Sequence, residues 1–487
     1  MSKLAAVLAT LPAEWPHDVL PEIQRRLAAS HQKVIVLDDD PTGTQSVHGI
    51  PVLTEWRVES LQAELESDLP AFYILTNSRA MPVEKAQALS AEIGRNVMAA
   101  QSRINQNAQG GASRSIALIS RSDSTLRGHF PSEVDALARQ VHGNVPPYLV
   151  APAFLAGGRY TIDDVHYVAQ GETLMPAGET EFAKDAAFGY RSSNLRAWVE
   201  EKTRGTIKAG EVLSICLDDI RAGGPQVVAA RLMALRAGQA CIVNAASERD
   251  LEVVALASLI AEEHGAQFAF RSAASFARAR AGIAAKALLT NHDLRVATNG
   301  GSPNGGLIVV GSYVPKTTEQ MQALLDAGAH AIEVNVKALL DDALQASEVA
   351  RIAQQASALI AGGHDAVIYT SRTLITSDDA RASLAIGERV SAGLTAIVSG
   401  ITAQPRYVLA KGGITSSDVA TKALRVRRAA VLGQIHAGVP VWLLGPESRY
   451  PGSIYIVFPG NVGGPAALAD VVQKLAGESQ GRSRTSS

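Results

Sequence analysis

The strongest constraint on this sequence is a rhythm. Short apolar runs alternate with longer Ala/Leu-rich stretches of helical period along most of its 487 residues. Runs at 34–37, 72–75, 116–119 and 148–151 are apolar at every position, as expected of strands buried on both faces. Amphipathic stretches at 83–100, 132–140 and 250–264 lie between and after them. Strands that alternate with helices form parallel sheets with helical cover, because a parallel connection needs a crossover. Such sheets bind ligands at the carboxyl ends of their strands. The residues just after each apolar run are therefore the ones to search.

The same rhythm divides the chain. The stretch 297–306 is rich in Gly and Asn and has no apolar period, and the strand–helix pattern restarts at 307. The expectation is an α/β protein of two α/β domains, each with a largely parallel sheet, facing each other across an active-site cleft. Residues 1–290 form the first domain, 291–306 a linker, 307–478 the second domain and 479–487 a disordered tail. Further strands are expected at 212–217, 240–243, 307–310, 332–334, 366–369, 407–410, 441–444 and 454–458. Helices are expected at 317–327, 341–361, 377–400, 416–424 and 465–476.

Charge and cysteine usage exclude several classes. Lys and Arg number 45 against 47 Asp and Glu, a net charge of −2 with no dense basic run, so nucleic acid is not an expected partner. Arg425, Arg427 and Arg428 read as the solvated face of a helix. Cys216 and Cys241 are too few for a disulfide framework, and Cys216 reads as a buried strand residue. No apolar run is long enough to span a membrane and no signal peptide is evident at the N-terminus, so the expected location is the cytoplasm. A homodimer is the assembly expected if such surfaces pair.

Two polar loops follow strands of the first domain. Asp38, Asp39, Asp40, Pro41, Thr42 and Gly43 come directly after 34–37. Adjacent carboxylates repel, so their grouping at a buried strand's end points to a cation or a hydroxyl-bearing ligand rather than an exposed acidic turn. The segment 120–129 carries Ser120, Arg121, Ser122, Asp123, Ser124, Thr125, Arg127 and His129, and Arg79 follows 72–75. Arginine forks bind carboxylates, and hydroxyls read polyols. Arg79, Arg121 and Arg127 are candidates for a substrate carboxylate, Ser122 and Ser124 for its hydroxyls, and Asp38 and Asp123 for polar contacts. His129 reads as a structural hydrogen-bonder. A competing pattern exists. Asp38, Asp40 and Thr42 also fit the Asp-x-Asp-x-Thr motif of haloacid-dehalogenase-type phosphatases, with Asp38 as nucleophile and Asp40 as acid/base, and Thr76-Asn77 after a strand resembles their second motif.

The second domain carries glycine loops at strand ends. Lys411, Gly412, Gly413, Ile414 and Thr415 lead from a strand into a helix, where backbone N–H groups can approach a phosphate. Lys411 is a candidate point charge for that phosphate. Gly311-Ser312 and Gly460 with Gly463 and Gly464 flank it, and Lys316 and Thr317 open the next helix.

Taken in order, Asp38 to Gly43, the loop 120–128, Gly412 to Ser416 and Phe458 to Asn461 resemble the four-carbon acid sugar kinase family over roughly residues 33–474. The resemblance implies a kinase that phosphorylates a hydroxyl of a four-carbon or branched sugar acid such as threonate, erythronate, 3-oxo-tetronate or 3-oxo-isoapionate. It implies ATP with Mg²⁺, ATP contacts at Ser312, Gly412, Gly413, Ile414, Thr415 and Gly460, and catalysis by Asp39 or Asp40 as proton acceptor. The family's Asp-Asp-x-Thr-Gly pattern falls on Asp39 to Gly43, so Asp38 is an additional acid and the assignment among the three stays open. Segments 105–113 and 178–188 are expected to shape substrate access. A sensor that binds sugar acid and ATP without turnover is the remaining alternative.

Overall fold

Lys33–Asp38, buried along its whole length, is the strand around which the first half of the chain is built. The computed structural model describes residues 2–40, 42–107, 115–312, 314–371 and 380–476. Pro41, most of the segment 105–113, Tyr313, residues 377–379 of one expected helix and the tail 479–487 lie outside the described residues. The chain forms two compact units, Met1–Ala285 and Lys286–Ser487.

Among the described residues the first unit holds eight parallel strands. Their spatial order is Leu213–Ile215, Ala240–Val243, Tyr148–Ala151, Ala269–Ser272, Ile116–Arg121, Lys33–Asp38, Ala71–Leu75 and Ile50–Leu53. From Lys33–Asp38 the chain first winds to one side, through Ile50–Leu53 and Ala71–Leu75. It then crosses to Ile116–Arg121 on the other side. That reversal opens a crevice at the carboxyl ends of Lys33–Asp38 and Ile116–Arg121. One face packs Ile35, Leu37, Phe72, Ile74 and Leu118 against Leu61 and Leu65, Leu89, Ile93 and Val97, and Leu137, which lie on three covering helices. Each such fully buried side chain stabilises by about 1.5–3 kcal/mol.

Among the described residues the second unit repeats the plan with seven strands. Their order is Arg428–His436, Val439–Leu444, Ile454–Phe458, Tyr407–Lys411, Leu307–Val310, Ala366–Thr370 and His330–Val334. The strands from Ile454–Phe458 onward are parallel, and the first two add an antiparallel hairpin. Here the reversal lies between Leu307–Val310 and Tyr407–Lys411, which places Gly311 and Gly412 at the crevice. Among the described residues no helix is long and apolar enough to cross a membrane.

Three expectations are corrected, and one sheet was not expected. The segment 291–306 opens with a helix, Asn291–Ala297, rather than a linker. Thr290 and Asp293 form a capping box, Leu289 and Leu294 enter the second unit's core, and Leu289 N–H donates to Gln434 O at 2.7 Å. Cys216 lies outside the short strand Leu213–Ile215 and stands half-buried at the start of the helix Leu217–Arg221. Arg425, Arg427 and Arg428 do not share a helix. Arg425 has φ 54°, Glu447 accepts the N–H groups of Arg427 and Arg428, and Arg428 begins a strand. Finally, an antiparallel sheet of Ser2–Lys3, Thr173–Pro176, Val165–Gln170 and Arg159–Ile162 went unread. Its central turn, Asp163-Asp164, has φ 52° and 62°, the left-handed pair that a two-residue hairpin demands.

Asp250 anchors the helix Glu248–Glu263 to the first unit. Its carboxylate takes both forks of buried Arg221 at 2.8 Å and caps the N–H groups of Ala246 and Ser247 at 2.9 Å. Removing one partner of such a pair strands the other charge, so Asp250→Ala is expected to cost about 3–5 kcal/mol. Urea denaturation of the variant beside the parent measures this; a loss under about 1 kcal/mol contradicts the assigned role.

Candidate active site

In the first crevice, burial and geometry separate the three adjacent acids. Asp38 is fully buried. Its Oδ1 accepts from Arg121 Nη1 at 3.1 Å and from the Asp40 N–H at 3.2 Å, while Oδ2 has no partner among the described residues. Gly43 lies so close that a methyl there would overlap the Asp38 carboxylate. Desolvation pushes the Asp38 pKa up to about 7; Arg121 opposes the shift, and Asp39 and Asp40 add to it.

Asp39 and Asp40 share one arginine. Arg79 grips Asp39 with two N–H groups, Nε at 3.1 Å and Nη2 on the second oxygen, and gives Nη1 to Asp40 at 2.9 Å. Asp40 also accepts from the Thr42 N–H at 2.8 Å and hydroxyl at 2.6 Å. Burial alone would raise the Asp40 pKa, but Arg79 and the Thr42 bonds outweigh it and hold it below the ordinary value. The Asp40 side chain keeps 25% exposure against 4% for Asp39, so Asp40 is the acid a ligand can reach.

Loop 122–128 closes over these groups. Asp123 accepts from Arg127 Nε at 2.8 Å and from the Thr125 hydroxyl. Despite burial its pKa is lowered, with Arg79 and Arg127 the main charges responsible. Leu126 and Gly128 take φ 71° and 119°, and a Cβ on Gly128 would stand 3.2 Å from Asp39 Oδ2. Arg79, Arg121 and Arg127 are thus counter-ions to Asp38, Asp39, Asp40 and Asp123 before any ligand arrives. Arg121 is buried and closed to a substrate; Arg79 and Arg127 keep exposed edges of 16% and 25%. Ser122 and Ser124 are buried within the loop. His129 donates to Met81 O at 3.0 Å and meets Phe188 edge-on, which is a structural role.

Three further residues hold this loop, and sequence reasoning missed them. Arg271, fully buried over the Trp198 ring, donates to Asp123 O at 3.0 Å and Arg127 O at 3.3 Å. His166 bonds Ser124 O at 2.7 Å, and the Tyr190 hydroxyl donates to Thr125 O at 2.9 Å. An arginine inside the short apolar strand Ala269–Ser272 was a readable signal; His166 and Tyr190 offered none.

The phosphatase pattern fails on this geometry. An aspartate nucleophile must present an open oxygen for in-line attack, whereas Asp38 is sealed beneath Gly43. The Thr76 hydroxyl bonds the backbone carbonyl of Asp38 at 2.9 Å and is spent on loop structure.

In the second crevice the glycine loops converge. A methyl on Gly311 would overlap Thr415 Oγ1, and one on Gly412 or Gly460 would stand 3.1 Å from the Ser312 side chain. Thr317 Oγ1 links Ser312 Oγ at 3.1 Å to Gly460 O at 3.0 Å. Gly412, at φ 116°, precedes the short helix Gly413–Asp418. A side chain on Gly413 would meet open space, and Ile414 points outward with 61% exposure, so both offer backbone alone. Gln320, another residue the sequence did not flag, donates to Val462 O at 2.9 Å and Gly464 O at 2.8 Å. Lys411 is corrected. It is fully buried, donates to Pro459 O at 2.8 Å and lies 4.1 Å from the Phe458 ring centre, with its pKa pushed down to about 7, mainly by burial. It braces the Gly460 loop and does not face a ligand.

Comparison with known proteins agrees with this division. Residues 34–280 match the family profile of a sugar-binding N-terminal domain, and residues 307–468 that of a nucleotide-binding C-terminal domain. A D-threonate kinase of Salmonella typhimurium (strain LT2) is 27% identical over 407 residues, covering 80% of this chain and 85% of the relative. A solved structure from Salmonella typhimurium LT2 superposes with a TM-score of 0.63 at 16% identity, covering 91% of this chain and 99% of that one. Haemophilus influenzae protein HI1011 gives 0.58 at 16% identity, covering 90% and 98%. Both structures share the fold. With the two profiles matched in order over most of its length, the chain belongs to the four-carbon acid sugar kinase family.

Proposed function

We propose that this protein is an ATP-dependent kinase that phosphorylates a hydroxyl of a small four-carbon or branched sugar acid. The observation that carries the reading is the division of labour between two crevices. One is lined by carboxylates and arginines, the other by glycines and hydroxyls, and they fall within a sugar-binding and a nucleotide-binding match respectively. The D-threonate kinase relative supports a sugar acid as the substrate class. The two free thiols and the use of ATP fit a cytoplasmic enzyme.

Asp40 is the group we assign to the acceptor hydroxyl. Its carboxylate is anionic, partly exposed and oriented by Thr42 and Arg79. Asp39 fixes Arg79, and Asp38 with Arg121 fixes the base of the loop. Phosphoryl transfer asks mainly for positioning and charge stabilisation, which such pre-set groups supply. For ATP, the backbone of Gly412, Gly413, Ile414 and Thr415, with Ser312 and Gly460, would receive the phosphates. Mg²⁺ is bound in such reactions mostly by phosphates and water with one or two carboxylates. That suits a chain whose described residues hold no group of three metal-ligating side chains. The ion would enter with ATP and neutralise phosphate charge.

A coupled ADP-release assay over D-threonate, L-threonate, D-erythronate and branched C5 acids tests the reading. ADP is expected with at least one acid and not with the matching polyols. A ligand-dependent thermal shift without ADP would make the protein a sensor and overturn the kinase. Asp40→Asn is expected to lower kcat by about 10²–10⁴-fold, the usual worth of a positioned acid/base. Near-parent turnover would remove Asp40 from the reaction.

A pH experiment isolates Asp38. Its carboxyl keeps a proton up to about pH 7 in the folded chain but only to about pH 4 when unfolded. The folded state therefore binds that proton more tightly, and the associated stability is lost as pH rises from about 4 through 7. Asp38→Asn carries no such penalty. Its melting temperature relative to the parent is expected to improve steadily between pH 4 and 8, and a flat or opposite trend contradicts the assignment.

A further inference from the structure

The carboxylate of a sugar acid needs a cation that the protein has not already neutralised. Arg121 is buried against Asp38, and Arg79 commits three N–H groups to Asp39 and Asp40. Arg127 gives Nε to Asp123, and its Nη1 reaches Asp185 only at 3.5 Å. The sequence motifs therefore leave one partly available arginine.

The structure supplies another. Arg159 opens an edge strand of the antiparallel sheet, Arg159–Ile162. Among the described residues it forms no ion pair: its guanidinium donates to Gly157 O, and its buried Nε has no partner. Burial lowers its pKa, and Arg127 adds to that shift while Asp123 and Glu181 oppose it without reversing it. Arg127 and Arg159 both pack on the Phe182 ring, with guanidinium carbons 5.2 and 5.9 Å from its centre. Two partly exposed arginines thus share one aromatic ring, and among the described residues one of them has no ion pair. An arginine without an ion pair beside a second arginine is a place that an anion would stabilise.

The surroundings hold this pair in place. Buried His166 and Tyr190 fasten the carbonyls of Ser124 and Thr125, and Asp185 accepts three bonds, from the Ala187 and Phe188 N–H groups and from Arg127. His166, Phe182, Asp185 and Tyr190 all belong to the segment that follows the strand Tyr148–Ala151 and precedes the helix Leu195–Lys202.

We infer that Arg159, together with Arg127 across Phe182, binds the substrate's carboxylate and sets the preference for acids over neutral polyols. This rests on the sugar acid reading above and adds a residue that the motifs do not mark. The fork geometry of guanidinium groups suits a planar carboxylate better than a lone hydroxyl.

The test pairs calorimetric binding of D-threonate and D-erythronate with ADP release, on the parent, Arg159→Met and Arg159→Lys, with threitol as the neutral analogue. Arg159→Met is expected to raise Kd and KM for the acid about 10- to 100-fold. The KM for ATP should hold, and the preference for acid over threitol should fall by a similar factor. Arg159→Lys should lie between, because it keeps charge but loses the fork. An unchanged KM for ATP also reports that the fold survives; should the Met variant not fold, the Lys variant carries the comparison. Unaltered acid affinity and unaltered acid preference in a folded variant overturn the inference. A parent that binds no acid overturns it too. A parent that binds acids but releases no ADP refutes the kinase and leaves the carboxylate site standing.

Discussion

A parallel sheet cannot close its strand ends where the chain reverses its direction of winding, because the two connections leave on opposite faces. Both units meet that constraint at their first strand. In one, Lys33–Asp38 delivers three carboxylates to the gap; in the other, Leu307–Val310 delivers Gly311 and Ser312. The carboxylates and their arginines gather at the first of these places and the glycine loops at the second. The crevice exists for topological reasons, and the residues after each strand decide what it can hold.

What they hold in the first unit is charge that water would otherwise solvate. Asp38, Asp39, Asp40 and Asp123 sit largely desolvated, and arginines from the ends of two neighbouring strands repay that cost. The pairing is unequal. Asp40 and Asp123 are held ionised by close arginines and hydroxyls, while Asp38, fully buried and with one oxygen unpartnered among the described residues, keeps its proton far longer. Asp38 and Asp40 thus differ in protonation because Arg79 and Thr42 outweigh burial at Asp40 while burial outweighs Arg121 at Asp38. Gly43 is what permits this depth, since any side chain there would displace the Asp38 carboxylate.

The sequence made the sheets legible because strands buried on both faces must be apolar throughout, and Val34 to Leu37 or Leu307 to Val310 have few alternatives. It also revealed the loops, whose polar residues directly follow such runs. Three things escaped. The strands Arg159–Ile162 and Val165–Gln170 are half-exposed and short, and their turn is Asp-Asp rather than the Asn-Gly that announces a hairpin. Lys411 looked like a phosphate ligand because spacing shows that a lysine follows a strand but not which way its stem runs; here Phe458 and the Pro459 carbonyl take it inward. The helix Asn291–Ala297 was hidden by the glycines just beyond it, although its Thr-x-x-Asp cap was present.

The division between frame and specificity follows from the same physics. Loop 122–128 is pinned by the guanidinium of Arg271, whose backbone belongs to a strand of the parallel sheet. It is pinned from the side by His166 and Tyr190, which belong to a segment outside the sheet. A neutral His166, with its pKa pushed down to about 4 mainly by burial, keeps its bond to the Ser124 carbonyl independent of ordinary pH. Parallel strands leave little freedom to change Arg271 or Asp38 without disturbing the core. The outer segment lies outside the parallel sheet, and it carries Arg159 and Phe182 to the loop's edge. Discrimination among sugar acids is therefore expected to reside in residues that no strand-end motif contains.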